Sequence, residues 1–493
     1  MKKLLFLAVF FGLLSCKNYA QAFKKDLAPN ILLIILDDQG YADFAPFKNH
    51  DTTADTPNMA KLAATGTVYT EAYTTAPVCS PSRAGMLTGK NQIRWDKNAS
   101  WGPGLPKNVK TIPEYLKQAG YATARIGKND LGKNFHKYNV REYPTKHGYD
   151  EFLGFSAHAH DYWLLSQEMK DKTPDPNGTS AALGPLMHND GIKSYSDGYL
   201  TDILTNEAVD YIHKSKNKPF YLTLAYNSVH HLIHEVPQKY LDKYNVKPIP
   251  NYNPADQEGF EKYKPGTYGA YYDKYSRLGA IQDEDLRKYY LANINCLDDN
   301  IGKVLDALKK EGIDKNTLII FISDNGGTPL NGANNSPLTA GKYSLWEGGI
   351  RVPMAISWPG KIEAGKTVDE YVSAMDILPT IVGAAGVPIT DATLDGISLM
   401  KPPVKDRVLV WKWQKTWAIR IGDWKLTNTD EDHWKSRPSN LYIAPIRNDL
   451  SLKLFDVKND PGERKDLSLV NIKKVKELEA AYQDWCTANI GKY

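Results

Sequence analysis

The chain has few of the features that would place it in a membrane, on nucleic acid or in a disulfide framework. After the first 14 residues it has no second long apolar run, so no later segment is expected to cross a membrane. Its formal charge of +4 falls to +1 once the three lysines before residue 23 are removed, which gives no electrostatic reason to expect nucleic acid. Four cysteines are too few for a disulfide scaffold, and there are no repeats or low-complexity tracts.

The first 22 residues are typical of an export signal. Lys2 and Lys3 precede an unbroken apolar run over residues 4–14, which is too short for a stable membrane span. Two processing sites remain open. Cleavage before Cys16 would leave a lipidated N-terminus, whereas the small-residue site at residues 20–22 would release a soluble protein. Both predict an exported protein, periplasmic or at the cell surface, that contacts a membrane only through a lipid at Cys16.

The remaining chain alternates short apolar strands with amphipathic helices. Residues 31–36 are six consecutive aliphatic residues, as expected of a strand buried on both faces of a parallel sheet, and residues 122–126, 220–225 and 317–322 are similar. Residues 291–308 have apolar side chains at helical spacing. This alternation predicts an α/β fold with a doubly wound, mostly parallel sheet, and it is assigned to residues 23–405.

A smaller domain is predicted after the prolines at 402–403 and the charged residues 405–407. Residues 406–493 contain four short strand-like runs and a final helix over about 470–486, which indicates a C-terminal α+β domain. In the large domain, residues 251–275 are rich in Tyr, Pro and Gly without a period. They are predicted to form a long surface loop near the functional site.

Polar side chains follow each of the four predicted strands. Because the carboxyl ends of parallel strands meet at one sheet edge, these side chains are expected to converge there. They are Asp37, Asp38, Lys128, Asn227, His230, Asp324 and Asn325.

Four of these residues offer only oxygen ligands, namely Asp37, Asp38, Asp324 and Asn325. Hard oxygen donors suit calcium or magnesium rather than zinc. Alternatively, residues 324–327 form a plain turn, since Asn-Gly is a strong turn signal. The paired carboxylates of Asp37 and Asp38 at another strand end favour the metal site.

Cys79 stands where a nucleophile would meet an anion. Ser80 can cap a helix that begins with Pro81, which places Cys79 beside a helix N-terminus. A buried core cysteine and a thiol of low pKa are the alternatives. Cys296 lies on a predicted helix face and is interpreted as core, although an exported chain could pair it with Cys486.

The segment from Cys79 to Arg83, followed by Leu-Thr-Gly at 87–89, resembles the signature of the type I sulfatases, which include bacterial carbohydrate sulfatases. Residues 37–40 are similar to that family's first metal motif and residues 323–326 to its second. The segments 341–353 and 454–463 resemble its lysine segment and its C-terminal turn. The resemblance covers nearly the whole chain after residue 27, with five segments in family order.

The resemblance implies an alkaline phosphatase-like fold and hydrolysis of sulfate esters on a sulfated carbohydrate. It implies that a maturase oxidises Cys79 to formylglycine, whose hydrated aldehyde is the nucleophile, and that one Ca²⁺, or Mg²⁺ in its place, is bound. The implied metal residues are Asp37, Asp38, Cys79, Asp324 and Asn325.

The resemblance also implies roles around the sulfate. Arg83, Lys128 and Lys342 would absorb charge on the sulfuryl oxygens. His230 would protonate the departing sugar oxygen, and its spacing after the Tyr-Asn pair at 226–227 selects it over His231.

One position departs from the family pattern. Asp130 stands where the family carries a histidine near the formylglycine, so Asp130 is predicted to replace that base, with His136 as a more distant substitute. Substrate contacts are predicted for the cluster at 158–162, above all His160 and Asp161, and for Arg94, Trp95 and Trp101.

Two other functions stay open on sequence. A phosphatase or phosphodiesterase of the same superfamily would typically hold two zinc ions and use Ser or Thr as its nucleophile. Asn325 at a ligand position and Cys79 at the nucleophile position argue against that function. A phosphonate ester hydrolase is the closer alternative, because it would keep the formylglycine. A non-catalytic glycan-binding relative would leave Cys79 unmodified; the intact lysines and Arg83 argue against it, and Asp130 mildly for it.

Overall fold

The structure, a computed structural model, describes residues 28–132, 137–165, 184–195, 198–253, 267–276, 281, 283–402, 404–429 and 450–493. The predicted export signal with Cys16, the alternative base His136 and part of the predicted loop at 251–275 lie outside these ranges.

A large mixed sheet forms the centre of the molecule. Its middle strands β8, β1, β7, β3 and β4 are parallel neighbours in that order. Antiparallel β9 joins β8 to β2, and β5 and β6 extend the other edge. The strands are β1 (Asn30–Leu36), β2 (Thr67–Tyr73), β3 (Ala122–Lys128), β4 (Glu151–Phe155), β5 (Leu186–His188), β6 (Gly191–Lys193), β7 (Phe220–Ala225), β8 (Thr317–Ser323), β9 (Arg351–Ser357), β10 (Lys366–Val368) and β11 (Val372–Ser373).

Helices cover both faces of this sheet, as the uninterrupted apolar strands require. Leu32 and Ile34 of β1 point into one core, and Ile31, Leu33 and Ile35 point into the other. The helices are α1 (Pro57–Ala64), α2 (Cys79–Thr88), α3 (Ile112–Leu116), α4 (Leu200–Ser215), α5 (Gln238–Lys243), α6 (Tyr268–Ser276), α7 (Asp283–Lys310), α8 (Glu347–Ile350), α9 (Ile377–Ala384) and α10 (Ile472–Asn489).

The C-terminal domain has its own antiparallel sheet. Its strands follow chain order and are β12 (Val408–Trp413), β13 (Thr416–Ile421), β14 (Trp424–Thr427) and β15 (Lys453–Asp456). Helix α10 packs on this sheet, with Tyr482 stacked 4.0 Å from Trp417. The predicted fold class, a doubly wound α/β domain with a smaller α+β domain, is confirmed.

Two local predictions were wrong. Residues 268–276 form helix α6 rather than a surface loop, and Tyr268 is buried. Helix α2 begins at Cys79 itself after the extended residue Val78, so Ser80 lies inside the helix and is not its cap. The interpretation of Cys296 as core holds, since its side chain is buried, and neither Cys296 nor Cys486 forms a disulfide with another described cysteine. Within the described ranges, no helix has both the length and the apolar character needed to cross a membrane.

Candidate active site

The carboxyl ends of β1 and β3 bring acids and a lysine into direct contact. The Lys128 ammonium lies 2.6 Å from Asp37 Oδ2. Lys342, from the loop before α8, lies 2.7 Å from Asp38 Oδ1 and donates to Cys79 Sγ at 3.2 Å. All five side chains are buried, so these charges interact in a poorly solvated site where attraction between them is strong.

The end of β8 adds a third acid and an amide. Asp324 Oδ2 accepts a hydrogen bond from Nε of Arg83 at 2.8 Å, and Nη2 of the same guanidinium lies 2.8 Å away as an ion pair; Arg83 reaches the carboxylate from the first turns of α2. Asn325 donates from Nδ2 to Asp38 Oδ1 at 2.7 Å. Its own Oδ1 is buried and has no hydrogen-bond partner among the described residues. An orphaned buried oxygen costs free energy unless a further group occupies the space in front of it.

These residues fit a hard divalent cation. Asp37, Asp38, Cys79 and His230 each place one ligand atom within 4.8 Å of the others. The orphaned oxygen of Asn325 supplies the acceptor that a cation would satisfy, and carboxylate and amide oxygens are the donors that Ca²⁺ and Mg²⁺ prefer. His230 was predicted to converge with these acids as a proton donor, and no ligand role was predicted for it.

Helix α2 holds Cys79 against the acids. Its sulfur donates to Asp37 Oδ1 at 3.5 Å. Gly85 lets the helix approach the preceding segment, because a Cβ there would lie 2.3 Å from Thr75 Oγ1. Burial raises the pKa of the Cys79 thiol well above its ordinary value, although Lys128 and Lys342 oppose the shift. The unmodified residue is therefore a neutral thiol, which argues against the alternative of a low-pKa thiol nucleophile.

His230 faces the same acids from the loop after β7. Its Nε2 lies 3.8 Å from Asp38 Oδ2, and its Nδ1 is buried with no hydrogen-bond partner in the described part of the chain. Burial, and then the charge of Lys342, hold the pKa of His230 well below its ordinary value. The free imidazole is therefore neutral.

Asp130 is linked to Asp37 through the Lys128 ammonium, which contacts both carboxylates. Its Oδ2 is 3.3 Å from the Lys128 ammonium, and its Oδ1 is 2.7 Å from Nδ1 of His158. Burial alone would raise the pKa of Asp130, but His158 and Lys128 outweigh it and hold that pKa below its ordinary value. Asp130 is fully buried, whereas 41% of the His158 side chain is exposed.

The predicted substrate residues divide into two groups. His160 and Asp161 lie next to the site but are buried, and Asn227 Nδ2 donates to the carbonyl of His160 at 2.9 Å. Both residues are buried, as are Asp37 and Lys128, and their contact with a substrate remains a prediction.

Arg94 and Trp95 face the C-terminal helix instead of the strand ends. Arg94 pairs with Asp395 at 2.5 Å and with Asn489 at 2.6 Å, and Trp95 contacts the ring of Tyr493. These contacts therefore lie at the junction between the two domains. Trp101 does reach the site, with its ring 6.1 Å from that of His158 and 5.5 Å from that of Tyr343.

Two residues of the site were missed by sequence reasoning. Thr328 donates to Asp38 Oδ2 at 3.0 Å. Glu235 accepts from the backbone N–H of Tyr162 at 2.9 Å and is paired with Asp161. Thr328 carries no sequence signal beyond following the acidic turn at 324–327. Glu235 follows the histidine-rich segment 230–234, where its charge could have singled it out.

Comparisons with known proteins agree with this geometry. A family model described as Sulfatase matches residues 29–387, and one described as N-sulphoglucosamine sulphohydrolase, C-terminal, matches residues 341–486. N-acetylgalactosamine-6-sulfatase of Mus musculus is 29% identical over 89% of this chain and 82% of its own length.

Solved structures also match over most of the chain. The crystal structure of Ps i-CgsB in complex with k-i-k-neocarrahexaose has a TM-score of 0.75 and 30% identity, covering 94% of this chain and 93% of that one. The structure of BT4656 in complex with D-glucosamine-2-N,6-O-disulfate shares the fold at a TM-score of 0.65 and 22% identity, over 93% and 98% of the two chains.

Proposed function

Because this chain belongs to the sulfatase family and is therefore a sulfuric ester hydrolase, we propose that it removes sulfate from carbohydrates with a formylglycine made from Cys79 and one Ca²⁺. The observation that carries the proposal is the position of Cys79, whose sulfur contacts both the Asp37 carboxylate and the Lys342 ammonium in a buried site. A nucleophile at this position could attack the sulfur of a bound sulfuryl group. The neighbouring carboxylates suit a cation, and the neighbouring ammonium group suits the sulfuryl oxygens.

The residues that would hold the cation are Asp37, Asp38, Asp324, Asn325 and the oxygens at position 79. A cation held there supplies positive charge for the sulfuryl oxygens, and Mg²⁺ is the alternative to Ca²⁺. The formylglycine supplies a hydrated aldehyde, which offers one hydroxyl for attack and a second for release of the product.

The basic residues orient the sulfate. Lys128 and Lys342 lie on two sides of Cys79, within contact of Asp37 and Asp38, so their ammonium groups can share hydrogen bonds with the sulfuryl oxygens. Arg83 is paired with Asp324 and fixes that carboxylate while it adds to the positive field. This preorganised charge stabilises the transition state at no cost in rearrangement.

His230 is the proposed donor to the departing sugar oxygen. Its ring is neutral in the free site because burial and Lys342 disfavour its charged form. The negative charge of a bound sulfate ester reverses that balance and favours the protonated ring next to the leaving oxygen. Substrate binding thus prepares the acid that the reaction needs.

The substrate class follows from the relatives. Their names include a galactosamine 6-sulfatase and a sulfatase solved with a neocarrahexaose, so we propose a sulfated oligo- or polysaccharide for this chain. A maturase would be its partner during synthesis. The predicted export signal places the enzyme in the periplasm or at the cell surface, through either a free or a lipid-anchored form.

The proposal is tested with protein made in a host that contains the maturase. Sulfate release is measured on a panel of sulfated neocarrahexaose, N-acetylgalactosamine 6-sulfate and glucosamine 2-N,6-O-disulfate, and the peptide containing residue 79 is weighed by mass spectrometry. We expect an aldehyde mass at residue 79 and release of sulfate from at least one sugar.

The matched variants are Cys79→Ala and Cys486→Ala. The first removes the only source of the hydrated aldehyde and should abolish turnover, whereas the second lies on α10, outside the site, and should not change it. Turnover of Cys79→Ala within tenfold of the parent would contradict the formylglycine mechanism. Hydrolysis of phosphate or phosphonate esters in preference to every sulfated sugar would contradict the substrate class.

A further inference from the structure

Two adjacent parallel strands bring Asp130 and His158 together. Lys128 at the end of β3 pairs with Phe155 at the end of β4, so the segments that leave these strands start side by side. Nδ1 of His158 lies 2.7 Å from Asp130 Oδ1. The other oxygen of Asp130 faces Lys128, which in turn contacts the Asp37 carboxylate beside Cys79.

Asp130 is poorly suited to accept a proton itself. It is fully buried, and its anionic form is stabilised by the Lys128 ammonium beside one oxygen and by the hydrogen bond from His158 to the other. A carboxylate held as an anion in this way loses both neighbours' stabilisation when it is protonated. The sequence-based assignment of Asp130 as the base therefore lacks a physical driving force.

His158 has the complementary properties. It is the exposed member of the pair, at the edge of the site, where its ring packs against the edge of Trp101. When Nδ1 donates to Asp130, the neutral ring carries its lone pair on Nε2. A carboxylate that fixes the tautomer in this manner also stabilises the imidazolium that forms on proton uptake.

We propose that His158 is the base that completes turnover, and that Asp130 is a positioning residue that acts through it. This rests on the proposed function. In the releasing step, the O–H bond of the free hydroxyl on residue 79 breaks and the proton passes to Nε2 of His158. The electron pair of that bond forms the C=O bond of the aldehyde. The C–O bond to the sulfate group breaks, and its electron pair leaves with the sulfate.

The experiment follows sugar release by rapid quench on a panel sugar that the parent enzyme turns over, with His158→Gln and Asp130→Asn. Loss of a general base costs about 10²–10⁴-fold in rate. We expect both variants to release one sugar per active site quickly and then to turn over at least a hundredfold more slowly than the parent. The quenched peptide with residue 79 should retain the mass of a sulfuryl group, which is a readout independent of turnover.

The double variant separates the two roles. If Asp130 acts only through His158, the double variant is no slower than His158→Gln alone. His213→Gln is the matched control, since His213 also contacts a carboxylate, that of Glu311 at 2.8 Å, but lies outside the site; it should behave as the parent. The melting temperatures of all variants are compared to confirm that they fold.

Three results would overturn the inference. Steady turnover by His158→Gln within tenfold of the parent would remove His158 from the chemistry. A rise in KM with unchanged kcat would make it a substrate-binding residue. Stalling of Asp130→Asn alone would make Asp130 the base. Absence of turnover in the parent, despite an aldehyde at residue 79, would instead contradict the proposed function.

Discussion

At the scale of single residues, Asp161 and Glu235 form a buried carboxyl pair behind the site. Burial, and then the charge of Glu235, raise the pKa of Asp161 well above its ordinary value. Glu235 accepts from Tyr162 N–H and, at 2.5 Å, from the hydroxyl of Tyr271, so the shared proton belongs on Asp161. The pair links the segments after β4 and β7 to helix α6.

This pair predicts a pH-dependent stability. Because the folded pKa of Asp161 exceeds its unfolded value of about 3.8, the native state binds the extra proton. The free energy of unfolding therefore falls as pH rises from about 4, by up to about 1.4 kcal/mol per pH unit. Asp161→Asn can still donate a hydrogen bond to Glu235 but cannot ionise. Denaturant titrations at several pH values should therefore show that the free energy of unfolding falls less steeply with pH in this variant. At pH 8 the variant should be more stable than the parent.

Glu235→Gln is the matched comparison. Its amide would turn an N–H₂ group toward donors from Tyr162 and Tyr271, so it should lose about 1–3 kcal/mol at every pH. If the free energy of unfolding of the parent and of Asp161→Asn changed equally with pH, the extra proton of the native state would not be on Asp161.

Asp324 gives a second prediction at this scale. Asp324→Asn keeps a hydrogen-bonding partner for Arg83 but removes one negative charge from the proposed cation site. We expect metal analysis of the purified variant to show less bound Ca²⁺ than the parent, together with lower turnover. Asp299→Asn, on α7 and hydrogen-bonded to Tyr240, should keep its full metal content.

Chelation distinguishes the kind of metal. With oxygen ligands predominating, a chelated parent enzyme should regain activity with Ca²⁺ and not with Zn²⁺. Recovery with zinc alone would support the phosphatase interpretation. Unchanged calcium content in Asp324→Asn would remove Asp324 from the ligand set.

At the scale of elements, the loop after β8 depends on its contact with helix α8. Gly326 donates to the carbonyl of Gly349 at 3.1 Å, and a Cβ on Gly326 would lie 1.8 Å from the carbonyl oxygen of Gly348. Gly326→Ala must therefore displace the loop that carries Asp324 and Asn325. We expect a lower melting temperature and a loss of bound metal.

Gly383 is a suitable control for this substitution. It lies in α9 with nothing near its Cβ position, and Ala is a better helix former. Gly383→Ala should raise stability by about 0.4–1 kcal/mol and leave metal binding unchanged. A Gly326→Ala variant with parental melting temperature and metal content would mean that the loop has room to move.

The elements also show what sequence reasoning can reach. Strands β1 and β8 were predictable because each is an almost continuous apolar run, and β7 and β3 because apolar residues predominate in them despite Thr223, Thr123 and Arg125. Their ends then predicted that Asp37, Lys128 and Asp324 would meet. Helix α6 was not, since its tyrosines have no apolar period; tertiary contacts such as that between Tyr268 and Tyr252 stabilise it.

The pairing of His158 with Asp130 was missed for a similar reason. It follows from the register between β3 and β4, and β4 is only five residues long with two flanking polar positions. A short strand of this kind does not stand out by hydropathy. The predicted roles of the site residues and the domain limits at 405 and 406 remain predictions.

At the scale of the whole molecule, a buried lysine joins the two domains. Lys425 of β14 lies 3.0 Å from Glu347 of α8 and 2.8 Å from Glu463. All three are fully buried, and burial raises the pKa of Glu463 to about 7. Lys425→Met would leave the buried Glu463 without its cation and would remove the nearer of the two cations paired with Glu347, since Arg351 lies 3.6 Å from that carboxylate. This should cost about 3–5 kcal/mol in denaturant unfolding.

Lys458→Met tests whether any lost ion pair would have the same effect. Lys458 lies 3.8 Å from Asp423, and both side chains are more than half exposed, so its loss should leave the unfolding midpoint unchanged. Equal stability of Lys425→Met and Lys458→Met would show that the buried lysine does not hold the domains together.

The depth of Cys79 has a consequence for the order of events in the cell. Only 4% of this residue is exposed once α2 has packed against the strand ends. Under the proposed function, an enzyme that oxidises this thiol must reach its sulfur, which the packed helix covers. The modification would then belong to the interval between synthesis and folding, and a chain that folded first would keep an unmodified thiol.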